Sequence, residues 1–180
     1  TGDGNANVLE GGLGDDILTG AAGLDTVSFS GASSGVTVNL ATTTAQNTGA
    51  GLDIITGFEN ILGSGFNDIL TGDDTANVIE GGAGDDNLNG GNGIDTAAYV
   101  NAAAAVTVNL ATVTAQNTIG AGTDILVNFE NLTGSAFGDT LTGSTGDNVI
   151  DGGAGNDTVQ GGAGNDTLFG GAGVDTLSYA

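Results

Sequence analysis

One apolar side chain recurs every nine residues through most of this chain. Nine-residue units framed from Gly2 run to Ser28, those framed from Gly63 run to Ala98, and those framed from Gly134 run to Ser178. The eighth position is apolar in all twelve units: Leu9, Leu18, Val27, Leu70, Ile79, Leu88, Ala97, Leu141, Ile150, Val159, Leu168 and Leu177. Each unit therefore has one inward-facing residue with polar neighbours, and a segment such as Asp166–Phe169 predicts a very short strand. A helix is excluded by the glycine that fills up to three places in nine, because each glycine costs a helix about 1 kcal/mol relative to alanine. Those glycines precede the strand and permit a sharp turn. One turn and one strand bury almost nothing alone, so the units must stack until the eighth-position side chains form an aliphatic ladder. Two units make a coil of 18 residues, and successive coils would lie about 4.8 Å apart.

A longer period lies over the short one. "VTVNLAT" occurs at 36–42 and 106–112, and "FEN" at 58–60 and 129–131. Blocks of nonapeptides at 2–28, 63–98 and 134–178 thus alternate with two related intervals, 29–62 and 99–133. Within the intervals Val36, Val38 and Leu40 fall on one strand face, as do Val106, Val108 and Leu110. Each interval is too short to hold a core of its own, so we expect larger coils that continue one solenoid through residues 1–180.

Charge narrows the chemistry. The chain carries 22 acidic residues, no Lys, Arg or His, and a formal charge of −22. No side-chain ion pair can form, and a compact state repels itself unless something positive is bound. Nucleic acid is excluded as a partner, since phosphate contacts need cationic side chains. Without cysteine there is neither a disulfide nor a thiolate metal site, and no apolar run is long enough to predict a transmembrane segment. The acidic groups fall in a column. The sixth position is Asp in nine units (Asp16, Asp25, Asp68, Asp86, Asp95, Asp139, Asp157, Asp166, Asp175) and Asn in three (Asn7, Asn77, Asn148). Calcium, a hard cation taking six to eight oxygens, fits such a column. Sixth positions 18 residues apart give six candidate sites: 7 with 25, 68 with 86, 77 with 95, 139 with 157, 148 with 166, and 157 with 175. Six ions would lower the formal charge from −22 to about −10.

These columns, G-G-x-G-x-D-x-U-x with U apolar, resemble the calcium-binding nonapeptide of RTX (repeats-in-toxin) proteins, most fully at 81–89, 152–160, 161–169 and 170–178. The intervals are similar to the segments that interrupt such rows in RTX adhesins and serralysin-type proteases. The resemblance implies an all-β, right-handed parallel β-roll with Ca²⁺ between successive turns. It also implies ligands from the turn glycines Gly81, Gly82, Gly84, Gly152, Gly153, Gly155, Gly161, Gly162, Gly164, Gly170, Gly171 and Gly173, from Ala154, and from fifth-position Asn156 and Asn165. Asn7, Asn77 and Asn148 should make weaker sites. Phe66 and Phe137 replace the fourth-position glycine, and their rings are expected to cover the core where the roll resumes. Asp15, Asp85, Asp73 and Asp74 read as surface charge, as do ninth-position Glu10, Glu80 and Asp151. Glu59 and Glu130, in "FEN", read as locally structural, with turn orientation or binding of another ion as their roles.

Catalysis is not expected, because the residues of most acid–base and nucleophilic arrangements are absent. The leading expectation is a calcium-dependently folding stalk, spacer or folding element of a secreted or cell-surface protein, such as an adhesin or S-layer-like protein. Its partners would be calcium ions and neighbouring copies or flanking domains. The alternatives are the non-catalytic C-terminal β-roll of a secreted protease, lipase or epimerase, or an ice-binding module. Against ice binding, the third position is mostly Ala, and Thr sits instead at the seventh, as in Thr158, Thr167 and Thr176. No leader stands at Thr1, and a new interval begins just before Ala180, so the sequence reads as a fragment of a longer protein.

Overall fold

A computed structural model describes residues 1–179. Twenty short strands, numbered in chain order, form two walls. The first wall is one parallel sheet of eight: β1 (Val8–Leu9), β3 (Thr26–Ser28), β7 (Asn60–Leu62), β9 (Val78–Glu80), β11 (Thr96–Ala98), β15 (Asn131–Thr133), β17 (Val149–Asp151) and β19 (Thr167–Phe169). The second wall holds β2 (Ile17–Thr19), β4 (Thr37–Asn39), β6 (Leu52–Thr56), β8 (Ile69–Thr71), β10 (Asn87–Asn89), β12 (Thr107–Asn109), β14 (Thr123–Val127), β16 (Thr140–Thr142), β18 (Thr158–Gln160) and β20 (Thr176–Ser178), with β5 (Gln46–Asn47) and β13 (Gln116–Asn117) attached. The chain is all-β and forms a parallel β-roll.

Register follows the repeat. Within blocks, residue i pairs with i+18, as in Val159↔Leu177 and Ile150↔Leu168. The central residue of each strand turns inward, and Leu70, Ile79, Leu88, Leu141, Ile150 and Val159 are sealed from solvent. Ladder residues from both walls join one apolar cluster.

The intervals do something the pattern alone did not disclose. After β3 the chain crosses to the second wall and pairs forward, β4 with β8. It then doubles back through β5, which runs antiparallel to β6, and lays β6 on β2. Only then does it return to the first wall as β7, on β3. The second interval repeats the path, with β12 on β16, β14 on β10 and β15 on β11. Each detour adds a rung to the second wall alone, and that wall divides into three sheets while the first stays whole. The gaps are bridged by Gln46 and Gln116, whose side-chain oxygens accept the amides of Asn39 at 2.9 Å and Asn109 at 2.8 Å. The detours bring their own core: Phe29, Val36, Val38, Leu40 and Phe58 from the first, Tyr99, Val106, Val108, Leu110 and Phe129 from the second, all buried.

Two expectations fail. Phe66 and Phe137 are 47% and 45% exposed and do not cover the core. Their amides are held at 3.1 Å by the hydroxyls of Ser64 and Ser135, which turns the fourth position outward. Glu80 is not a solvated surface group but buried, where it accepts the Asn101 amide at 2.6 Å and carboxamide at 2.9 Å.

Candidate metal centre

Two stacks of turns join the walls, and the sixth-position side chains line both. A repeated bond organises them: the amide of one sixth-position residue donates to the carboxylate 18 residues on. Asn7 bonds Asp25 at 2.8 Å, Asp68 bonds Asp86 at 2.8 Å, and Asn77 bonds Asp95 at 2.8 Å. Asp139 bonds Asp157 at 2.8 Å, Asn148 bonds Asp166 at 3.0 Å, and Asp157 bonds Asp175 at 3.0 Å. These are the six pairs that the 18-residue spacing picks out. The geometry brings them together through one oxygen each, and the fate of the second oxygen divides the turns into two kinds.

In the first kind the turn satisfies itself. Units opening at Gly2, Gly63, Gly72, Gly134 and Gly143 carry Asp or Ser at the second position. There the second-position amide donates to the sixth-position side chain: Asp3 to Asn7 at 2.7 Å, Ser64 to Asp68 at 2.6 Å, and Asp73 to Asn77 at 2.8 Å. Ser135 donates to Asp139 at 2.5 Å and Ser144 to Asn148 at 2.7 Å. Asn77 and Asn148 also donate from Nδ2 to the main-chain oxygens of Glu59 and Glu130, at 2.9 and 2.5 Å. A carboxylate could not make that bond.

The second kind is the glycine turn, in the units opening at Gly11, Gly20, Gly81, Gly90, Gly152, Gly161 and Gly170. Its second and fourth residues take positive φ, for example 100° at Gly82 and 133° at Gly84. The same holds at Gly153, Gly155, Gly162, Gly164, Gly171 and Gly173. In these turns Oδ2 of Asp16, Asp25, Asp86, Asp95 and Asp157 is buried and has no hydrogen-bond donor. Asp166 and Asp175 belong to the same kind but are only partly buried. A buried carboxylate oxygen without a partner carries a penalty on the order of several kcal/mol. The first glycine of each unit sits beneath it. At Gly20 a β carbon would meet both the Gly57 carbonyl and Asp25 Oδ2, and at Gly90 both the Asn128 carbonyl and Asp95 Oδ2. Such cradles of oxygen, closed to any side chain, suit a hard cation. Among the described residues no three acidic side chains gather at one point, so main-chain carbonyls would have to supply much of the coordination.

The electrostatics agree. The Asp86 carboxyl is pushed up to about 7, first by burial and then by the charges of Asp124, Asp68 and Asp85. Burial also raises Asp95, with Glu130 and Asp73 adding to it, and raises Asp157, with Asp139, Asp175 and Asp151 adding to it. The column repels its own charge, and a bound cation would reverse each of these shifts.

Fifth-position Asn156 and Asn165, expected as ligands, face neighbouring turns instead. Asn156 accepts the Val174 amide at 2.9 Å, and Asn165 donates its amide to Asp147 at 2.7 Å. Asp15 and Asp85, expected as loose surface charge, pin the detours by accepting the amides of Leu52 and Thr123 at 2.9 Å. Glu59 and Glu130 accept the amides of Asp25 and Asp95 at 2.8 Å, the place a sixth-position carboxylate takes within a block. Sequence reasoning missed Asp53 and Asp124 altogether. They do the same on the other stack, for Asp16 at 2.9 Å and Asp86 at 3.1 Å. The available signal was their recurrence in the matched "DII" and "DIL" of the two intervals, outside the nonapeptide frame.

A family comparison decides what such a column belongs to. The RTX calcium-binding nonapeptide repeat matches in four copies, at residues 1–31, 62–97, 133–167 and 153–179. This chain belongs to the RTX calcium-binding nonapeptide repeat family. The matched copies span most of the chain, so its RTX repeats are a calcium-binding structural module rather than an isolated motif. A search of curated proteins returned no match.

Proposed function

We propose that this RTX module is a calcium-gated stalk, spacer or folding element, continuous through residues 1–180, in a secreted or cell-surface protein of the adhesin or S-layer-like kind. The observation that carries the proposal is the set of orphaned Oδ2 atoms at Asp16, Asp25, Asp86, Asp95 and Asp157. Calcium would be held by these carboxylates and by carbonyls of the glycine turns, and it supplies the positive charge that the chain lacks. Because the ion binds the folded coil, its binding free energy becomes folding free energy. At the low calcium of a cell interior the chain stays open and exportable. Outside, at millimolar calcium, it closes coil by coil. No helix among the described residues is long and apolar enough to cross a membrane. Far-UV circular dichroism tests the proposal: strand signal should appear with millimolar Ca²⁺ and disappear with a chelator. A signal indifferent to the chelator would overturn it.

One observation favours a second reading. Thr107, Thr140, Thr158 and Thr176 stand in register on the outer face of the second wall, all exposed. A flat rank of hydroxyls is the kind of surface that an ice-binding module presents, and thermal hysteresis by the calcium-loaded chain would favour that role.

A further inference from the structure

We infer that the two detours complete cation sites of their own: Asp53, Glu59, Asp124 and Glu130 are second carboxylates for divalent ions held at Asp16, Asp25, Asp86 and Asp95. This rests on the calcium reading above, but it moves the sites. The 18-residue spacing places ions between nonapeptides, whereas four of the five buried orphan oxygens lie where a glycine turn meets a detour.

Three observations converge at these junctions. First, each pair is already in register. The amides of Asp16, Asp25, Asp86 and Asp95 bond the detour carboxylates at 2.9, 2.8, 3.1 and 2.8 Å. A carboxylate has two oxygens and about four lone-pair positions, so an accepted amide leaves it able to ligate. Second, on one stack the detour also aims a main-chain oxygen at the orphan. The carbonyls of Gly57 and Asn128 share the space over Gly20 and Gly90 with Asp25 and Asp95 Oδ2. Gly57 and Asn128 both hold positive φ, 65° and 58°. Asn128 is one of only three non-glycine residues in that region among the described residues, and a conformation disfavoured for L-residues needs a compensating contact. Third, the two sides of this detour turn differ. On the side of Asp25 and Asp95 stands a bare carboxylate oxygen. On the other, Asn77 and Asn148 donate a neutral amide to the Glu59 and Glu130 carbonyls. The cation is needed on one side only.

Calcium bound per chain, counted by equilibrium dialysis with atomic emission, tests this on the whole chain. Glu59→Gln and Glu130→Gln retain an oxygen that accepts the amide of Asp25 or Asp95 but lose the charge. Each should remove one ion or weaken one site at least tenfold, and the double variant should remove two. Glu10→Gln, which lies outside both columns, should keep the wild-type count. If both Gln variants bind as many ions as wild type with equal affinity, the detour carboxylates are hydrogen-bond acceptors only. The inference then falls while calcium gating stands. A wild-type chain that binds no calcium overturns both. A second readout does not depend on how these variants fold. The Tyr99 hydroxyl donates to Asp124 Oδ2 at 3.2 Å, so Tb³⁺ at the Asp86–Asp124 junction should be excited through Tyr99. Tyr99→Phe should abolish that emission, and Phe29 in the matching place of the first detour shows that the ring alone fits. Emission undiminished by Tyr99→Phe contradicts a site at that junction.

Discussion

At the scale of single residues, what distinguishes one turn from another is whether its sixth-position oxygens find donors. A second-position Ser or Asp offers its amide and closes the turn. A glycine swings that amide away through positive φ and leaves Oδ2 bare. One residue sits on the wrong side of this division. Ala21 takes the place of the second glycine in its unit and holds φ at 86°. Left-handed backbone costs an L-residue about 1–2 kcal/mol, and the extra freedom of glycine in the unfolded chain returns about 0.4–1 kcal/mol of that. Relief of strain wins, so Ala21→Gly should stabilise the calcium-loaded roll by about 0.5–1 kcal/mol, read from denaturant melts. Asp86 gives a second prediction. Its carboxyl, raised to about 7 by burial and neighbouring charge, stabilises the metal-free fold when protonated. That contribution is complete below the ordinary carboxylate range and lost as pH rises through about 7. In chelator, strand signal should therefore grow as pH is lowered from about 8 to about 4. In saturating calcium, which favours the charged form, the trend should vanish over the upper part of that range.

At the scale of elements, the three-residue strand is stabilised almost wholly by its central side chain. Leu70 is fully buried between rungs, whereas Leu177, in the same column, is 42% exposed on the last strand described. Truncating a buried leucine costs about 2–5 kcal/mol. Leu70→Ala should fall in that range and Leu177→Ala well below it, with thermal melts in calcium as the measure. This ladder was fully legible in the sequence, because a nine-residue period with one apolar column admits few other folds. The two kinds of turn were half legible. The second-position residue is plain to read, but that Ser64 or Asp73 uses its amide to consume an oxygen of the column is a fact of chain direction. The doubling-back of β4, β5 and β6 was not legible at all. Val36, Val38 and Leu40 reveal an inward face, yet nothing in their alternation tells whether the strand pairs with the coil before it or the coil after it. Asp53 and Asp124 were missed for the same reason. They enter the column from a register 37 and 38 residues away rather than 18.

At the scale of the whole molecule, charge is the controlling quantity. A chain of −22 with no basic side chain gathers its carboxylates into two columns along a roll whose core is a thin aliphatic ladder. Stacked walls and amide-to-carboxylate bonds define the shape, and self-satisfied turns hold parts of it without metal. The glycine turns leave buried charge that only a cation can offset. The family's affinity for calcium and this chain's orphaned oxygens thus describe one property at two scales. The most direct measurement is anomalous diffraction from a crystal grown in ample calcium. The account predicts calcium peaks beside the Oδ2 atoms of Asp25, Asp86, Asp95 and Asp157, within the glycine turns and against the following rung. Well-ordered turns without such peaks, with those oxygens taking hydrogen bonds from protein instead, would contradict it.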